Sequence, residues 1–201
     1  MREGDTAFIM FLRRLVILAY LLGLSACSVH VGPTMEVPSV PAPTVKPGEG
    51  RDLKLGVSLG SIKDARSSAT REDTSSPEGK YTEPAGDVAA AVKTALASAL
   101  ADQGVRLRPN APLTIFGEVR RWRTQAAATT TTSIHSEAAL YVEVVDRSGN
   151  RVYSGTYHGS RASEFPIATL SDIKESLGLA MSEAIAQLFD DEEFITALWK
   201  Q

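Results

Sequence analysis

The sequence predicts an α+β domain: an antiparallel sheet of about four strands with two helices packed on one face, in the order β-α-β-β-β-α. Three observations carry this. Residues 129–146, "TTTTSIHSEAALYVEVVD", form the longest run of alternating apolar and polar side chains. Two segments, 86–104 and one beginning near Thr169, instead repeat apolar residues at helical spacing. Between the long run and the next strand stands "DRSGN" (146–150), a turn sequence. Two amphipathic helices need an apolar face to cover, and an antiparallel sheet offers one while its other face meets water.

Taken in order, the chain opens on a secretory pattern. Arg13 and Arg14 precede an apolar run from Leu15 to Leu24, then Ser25 and Ala26 lead into Cys27. A membrane-spanning helix needs about 20 apolar residues, so this run is short for one. Glu3 and Asp5 are foreign to such a signal, and a start at Met10 would give a tidier one than Met1. "LSAC" (24–27) resembles the lipobox of bacterial lipoproteins. That resemblance implies a signal peptide over 1–26, removal before Cys27, and acylation (palmitate among the acyl groups) of that cysteine. Ser28 after it implies sorting to the outer membrane rather than retention in the inner one. An ordinary signal with an incidental cysteine is the alternative. The anchor would attach the mature chain to a membrane at Cys27, since each buried methylene contributes roughly 0.8 kcal/mol.

Residues 27–50 then read as a tether. Five prolines (Pro33, Pro38, Pro41, Pro43 and Pro47) remove amide donors and favour an extended chain. At about 3.1 Å per residue this stretch would reach roughly 70 Å. "MEVPSV" within it is apolar enough to pack on the domain instead.

The periplasmic domain is expected over 51–201. Leu53, Leu55, Val57 and Leu59 alternate, predicting a strand. Residues 64–83 are polar and turn-rich, predicting a long loop. In 86–104, Asp87 suits an N-cap; Val88, Val92, Leu96 and Leu100 recur with Ala91, Ala95 and Ala99 beside them; Gly104 suits the stop. Val105 and Leu107, then Leu113, Ile115 and Val119, suggest strand. In the long alternating run Ile134, Ala138, Leu140, Val142 and Val144 share one face, with His135, Glu137, Tyr141 and Glu143 on the other. "RVYSGTYHG" (151–159) is the return strand of a hairpin whose loop holds Gly149. The last long helix is capped by Thr169 or Ser171, with a stripe of Leu177, Met181, Ala184, Ile185 and Leu188. Phe194, Leu198 and Trp199 let a short terminal helix dock.

The tether, "LKLGVSLGSIKDAR", "ALADQGV", "VEVVDRSGNRVYSGTYHGS" and the tail "EEFITALW" together resemble the YajG-type family of bacterial lipoproteins over residues 27–200. The resemblance implies an envelope compartment and an α+β fold, and no reaction. On it we expect a non-enzymatic accessory or assembly factor that faces the periplasm from the outer membrane and contacts another envelope protein. The alternative is a lipoprotein that recognises peptidoglycan, lipid or a small molecule; a hydrolase is third.

Composition bounds the rest. With 201 residues, 43% hydrophobic, the chain suits one domain plus appendages, and its net charge of −3 argues against a nucleic-acid surface. Loss of residues 1–26 would remove three cationic and two acidic residues, giving −4. A single cysteine forms no internal disulfide. No P-loop, G-x-G-x-x-G or G-x-S-x-G motif is present, so no cofactor and no catalytic residue is expected. His30 lies in the tether; His135 and His158 fall on neighbouring strands without a metal-ligand pattern, so no metal is expected. "RRWR" (Arg120, Arg121, Trp122, Arg123) is the one basic-aromatic cluster. Its guanidiniums suit anionic groups and Trp122 a sugar or a partner; equally, such side chains cover core edges. "QAAATTTTS" (125–133) reads as an extended hairpin arm or a loop. Tyr153 and Tyr157 share a strand face, with Gly155 and Gly159 allowing close packing.

Overall fold

Ten elements succeed one another in the computed structural model, which describes residues 35–43, 56–66, 81–128 and 130–199. They are β1 (Met35–Glu36), β2 (Val57–Asp64), β3 (Tyr81–Thr82), β4 (Pro84–Ala85), α1 (Val88–Asp102), β5 (Leu113–Ala128), β6 (Thr132–Asp146), β7 (Arg151–Phe165), α2 (Leu170–Asp190) and α3 (Glu192–Trp199). The expected signal, Cys27, Ser28, His30, Leu53 and Leu55 lie outside the described residues. Among the described residues no helix is long and apolar enough to cross a membrane.

The main sheet runs β2-β5-β6-β7, and β3 pairs with the far half of β5. It is mixed, which corrects the antiparallel expectation. β5, β6 and β7 form an antiparallel meander, whereas β2 lies parallel to β5, with Val57 opposite Leu113 and Lys63 opposite Glu118. The reason is α1: a helix between two strands carries the chain back to its starting end, so the second strand runs the same way as the first. The expected 64–83 loop is also shortened at its end, because Thr82 pairs with Thr124.

α1 forms as its sequence predicts. The Asp87 carboxylate accepts from the Ala90 amide at 2.8 Å, and Val88, Val92, Ala95, Leu96, Ala99 and Leu100 are buried. At its end Gly104 adopts φ +74°, a conformation that favours glycine. The Val105 amide then donates to the Leu100 carbonyl (2.9 Å) and Gly104 to Ala101 (2.9 Å), which satisfies two orphan carbonyls. α2 starts at Thr169, whose side chain and amide pair reciprocally with Asp172. The Thr169 hydroxyl and amide hold the Asp172 carboxyl below its usual range.

β6 buries the predicted face: Ile134, Ala138, Leu140, Val142 and Val144 are each at most 2% exposed. α2 covers that face with Leu177, Met181, Ala184, Ile185 and Leu188, all fully buried. Burying each of the leucine, methionine and isoleucine side chains contributes about 1.5–3 kcal/mol. Gly159 is what lets α2 approach β7, since a Cβ there would sit 1.9 Å from the Ala180 carbonyl oxygen. In β2 the expected Val57–Leu59 alternation breaks at an irregularity between Leu59 and Ile62, and Ile62 is the next buried position.

α3 docks through Phe194 and Leu198. Asp191 accepts from the Glu193 and Phe194 amides with one carboxylate oxygen and from the Tyr153 and Tyr157 hydroxyls with the other (2.5 and 2.6 Å). The two phenols also meet each other, and Gly155 leaves the space in which they converge. Burial, with Asp191 beside it, pushes the Tyr153 hydroxyl well above its usual range.

Part of the expected tether belongs to the folded unit. β1 pairs parallel with β4, Met35 is 2% exposed, and Val37 and Val40 pack on the core.

Candidate functional site

β5, β6 and β7 have one face under α2 and the other, among the described residues, open. Residues on the open face fall into rows across the ladder. Phe116, Glu143 and Ser154 are in register, then Glu118, Tyr141 and Thr156, then Arg121, Ala139 and His158, then Arg123, Glu137 and Ser160. Lys63 of β2 extends the second row.

The "RRWR" run is divided between the two faces. A bulge between Val119 and Arg121 leaves Arg120 without a register partner. One extra residue would otherwise invert everything after it. Trp122 therefore turns inward, is fully buried, and donates its indole N–H to the Leu177 carbonyl of α2 at 2.8 Å. It joins sheet to helix and is not available to a sugar or a partner. Beneath it Ser136 bridges the Thr124 and Ser176 hydroxyls, each at 2.9 Å, a buried chain that ties β5, β6 and α2 together.

The three arginines stay on the open face, each beside a carboxylate. Arg120 lies 4.0 Å over the Tyr141 ring, pairs with Glu118 at 3.2 Å and donates to the Thr156 hydroxyl at 3.4 Å. Arg123 and Arg121 converge on Glu137 at 3.1 and 3.5 Å, and His135 stands 3.3 Å from the same carboxylate. Burial opposes ionisation of Glu137, but the Arg123 and Arg121 guanidiniums and the His135 contact outweigh it and hold the carboxyl below its usual range. Arg120, Glu118 and Tyr141, with Phe116, Glu143, Ser61 and Lys63, line a depression of ≈ 380 Å³.

This arrangement is a charge-balanced surface with an aromatic floor. An anion would have to compete with carboxylates for every guanidinium, so phosphate or sugar-acid binding is poorly served. Arginine and aromatic side chains set in a polar rim are instead the composition of protein interfaces. His135 and His158 sit four positions apart along the ladder, about 13 Å, too far to share a ligand. Among the described residues no three His, Cys, Asp or Glu side chains are placed to hold a metal.

Of the 125–133 segment, Gln125 to Ala128 form an extended arm with the return strand, pairing with His135 to Thr132, and Thr129 lies outside the described residues. The sequence reading named Glu137, Tyr141 and Glu143 for the outer face and missed Phe116, Lys63 and Thr156. Strand alternation on β5 and β7 would have placed Phe116 and Thr156. Asp191 was also missed, although an Asp two residues before Glu193 at a helix start is a capping signal.

Residues 57–199 match the family model described as "Uncharacterized lipoprotein". No curated protein matches the sequence. Among solved structures, a Xanthomonas campestris protein of the DUF330 family model is similar with a TM-score of 0.51 at 14% identity, over 76% of this chain and 90% of that one. The PelC dodecamer protein of Paraburkholderia phytofirmans gives 0.41 at 22% identity, over 72% and 95%. A minor lipoprotein of Acinetobacter baumannii gives 0.41 at 16%, over 74% and 93%. The first of these is a likeness of fold.

Proposed function

The chain belongs to the family described as uncharacterized lipoprotein, and from that premise we propose that it is a non-enzymatic accessory factor of the bacterial envelope, acting through protein–protein contacts. Membership in a lipoprotein family implies attachment to an envelope membrane through lipid. In our reading the lipid is carried by Cys27, Ser28 directs the protein to the outer membrane, and the domain faces the periplasm. The YajG-type resemblance of the sequence agrees with the matched family at this level.

The observation that carries the reading is the open sheet face. Three arginines, three glutamates and two aromatic side chains stand there, tied by contacts within and between strands, and among the described residues no helix or strand covers them. An ordered, charge-balanced, partly aromatic face suits a protein partner of complementary pattern. Crosslinking from the tagged protein in living cells, followed by mass spectrometry, tests it. A dominant protein adduct is expected; recovery of glycan or lipid alone would overturn it.

The second reading is a lipoprotein that takes peptidoglycan, lipid or a small molecule, and the depression against Phe116 and Tyr141 favours it. Under that reading, in the Cys27→Ala chain that carries no lipid, Arg120→Glu with Arg123→Glu abolishes pull-down by isolated sacculi or anionic vesicles; under ours, the unlipidated chain binds neither.

Attachment has its own test. Cys27→Ala is expected to abolish incorporation of labelled palmitate and to free the chain from the outer-membrane fraction. Retention in that fraction after signal cleavage would overturn the anchor.

A further inference from the structure

Residues 35–43 are seated on the domain in a way that leaves marks on both sides of the contact. β1 pairs with β4, and β4 is itself held from below: buried Arg66 donates to the Pro84 carbonyl at 3.1 Å while pairing with Asp64 at 2.8 Å. Met35, Pro38 and Pro43 are buried, and Glu36 pairs with Lys174 of α2 at 3.1 Å. Two glycines make room. A Cβ at Gly86, which has φ +124°, would stand 3.1 Å from Val37. A Cβ at Gly178 would stand 2.4 Å from the Ser39 carbonyl oxygen and 3.3 Å from Pro41. Gly178 lies inside α2, where glycine in place of alanine costs about 1 kcal/mol of helix propensity. The close passage of the segment is what that glycine permits. The segment suits such a site, because prolines lack amide donors and an extended proline-containing chain is already ordered before it binds.

We propose that the cleft between β4 and α2, floored by Gly86 and Gly178, is a binding site for an extended proline-containing peptide, filled in cis by Met35–Pro43, and that its occupancy sets how far the domain stands from the membrane. The second half rests on acylation of Cys27; the first does not. Met35 is eight residues beyond Cys27. With the site filled, the first docked residue lies no more than about 29 Å from the anchored cysteine. With the site empty, residues 35–43 no longer hold the domain to that limit, and the bound rises to at least about 58 Å, the reach of the 16 residues from Cys27 to Pro43. Filling the site therefore confines the open sheet face to partners close to the bilayer, and a competing proline-rich segment would let the domain rise.

The sequence supplies the probe. Beyond residue 27 the only methionines are Met35, in the docked segment, and Met181, in the core of α2. The lipidated full chain in nanodiscs is exposed to dilute hydrogen peroxide and both sulfoxides are followed by mass spectrometry. In the parent chain both methionines are protected. In Gly178→Ala, Met35 is expected to oxidise at least tenfold faster while Met181 stays protected, which shows that the domain remains folded. Replacement of residues 36–41 by Gly and Ser should do the same from the other side of the contact. Protection of Met35 that survives both changes overturns the site. The same measurement on the Cys27→Ala chain separates docking from anchoring, since docking does not need the lipid. For the distance, a fluorophore on an introduced cysteine at Ser148 and an acceptor in the nanodisc lipid should lose energy transfer in Gly178→Ala. Unchanged transfer with Met35 exposed would overturn the height control and leave the peptide site standing.

Discussion

The two faces of the β5–β6–β7 meander are made from alternate residues of the same strands, yet they do different things. On the inner face Ile115, Val119, Trp122, Leu140 and Val142 are fully buried beneath the helices. On the outer face Phe116, Glu118, Arg121, Glu137 and Tyr141 are held by lateral contacts and meet solvent. The inner face is secured by area and shape, the outer by charge geometry at a water boundary. Apolar burial contributes kilocalories per side chain, whereas exposed ion pairs contribute fractions of one. Substitutions on the two faces should therefore separate stability from binding, and Arg121 and Trp122 are neighbours in sequence that fall on opposite sides of that division.

The largest effect is expected at the inner face. Trp122→Ala removes a fully buried side chain and its bond to Leu177, and should cost about 3–5 kcal/mol in urea unfolding. A loss below about 1 kcal/mol would show that Trp122 is not what joins sheet to helix. Next is Gly159→Ala, whose added methyl meets the backbone of α2. Overpacking of this kind should cost about 3 kcal/mol, read in the same unfolding assay. Ser136→Ala breaks the buried hydroxyl chain between β5, β6 and α2. It should cost about 1–2 kcal/mol, because two hydroxyls lose a partner.

The smallest effect is expected at the outer face. Arg121→Ala should shift stability by less than about 1 kcal/mol, since the pair with Glu137 is partly exposed and screened by water. Its acid dependence has a definite sign. Glu137 is held below its ordinary range in the folded chain, so its contribution is complete above that range and is lost as pH falls through the lower folded value. Glu137→Gln should flatten this acid limb of the stability profile without changing stability at pH 7 by more than about 1 kcal/mol. A steep loss at neutral pH would make the outer face a structural one.

Much of the inner face was legible in the sequence because burial writes a period into it. Val88 to Leu100 and Leu177 to Leu188 carry the helical spacing, and Ile134 to Val144 the strand spacing; all but the half-buried Ala91 are buried where that spacing puts them. What could not be read was whatever depends on pairing across the chain. The parallel match of β2 with β5 follows from where α1 delivers the chain, and strand order alone does not state it. The bulge at Arg120 moves one residue out of phase, and nothing in "RRWR" marks which residue that is. The docking of Met35–Pro43 was open in the sequence, because its prolines suit a free tether and a seated one equally. The deciding signal, Gly178, sits 139 residues after Ser39 in the chain. The outer face was half legible: alternation gave its membership on β6, while the convergence of Arg121, Arg123 and His135 on Glu137 needed the register of two ladders.

The central claim is that the open face, and not the helix side, meets an envelope protein. A photo-crosslinking amino acid placed at Thr156, in the middle of the open face, and separately at Glu175, exposed on α2, tests this in living cells. The account predicts a discrete protein adduct from Thr156 and none from Glu175. A protein adduct from Glu175 with none from Thr156 would contradict it.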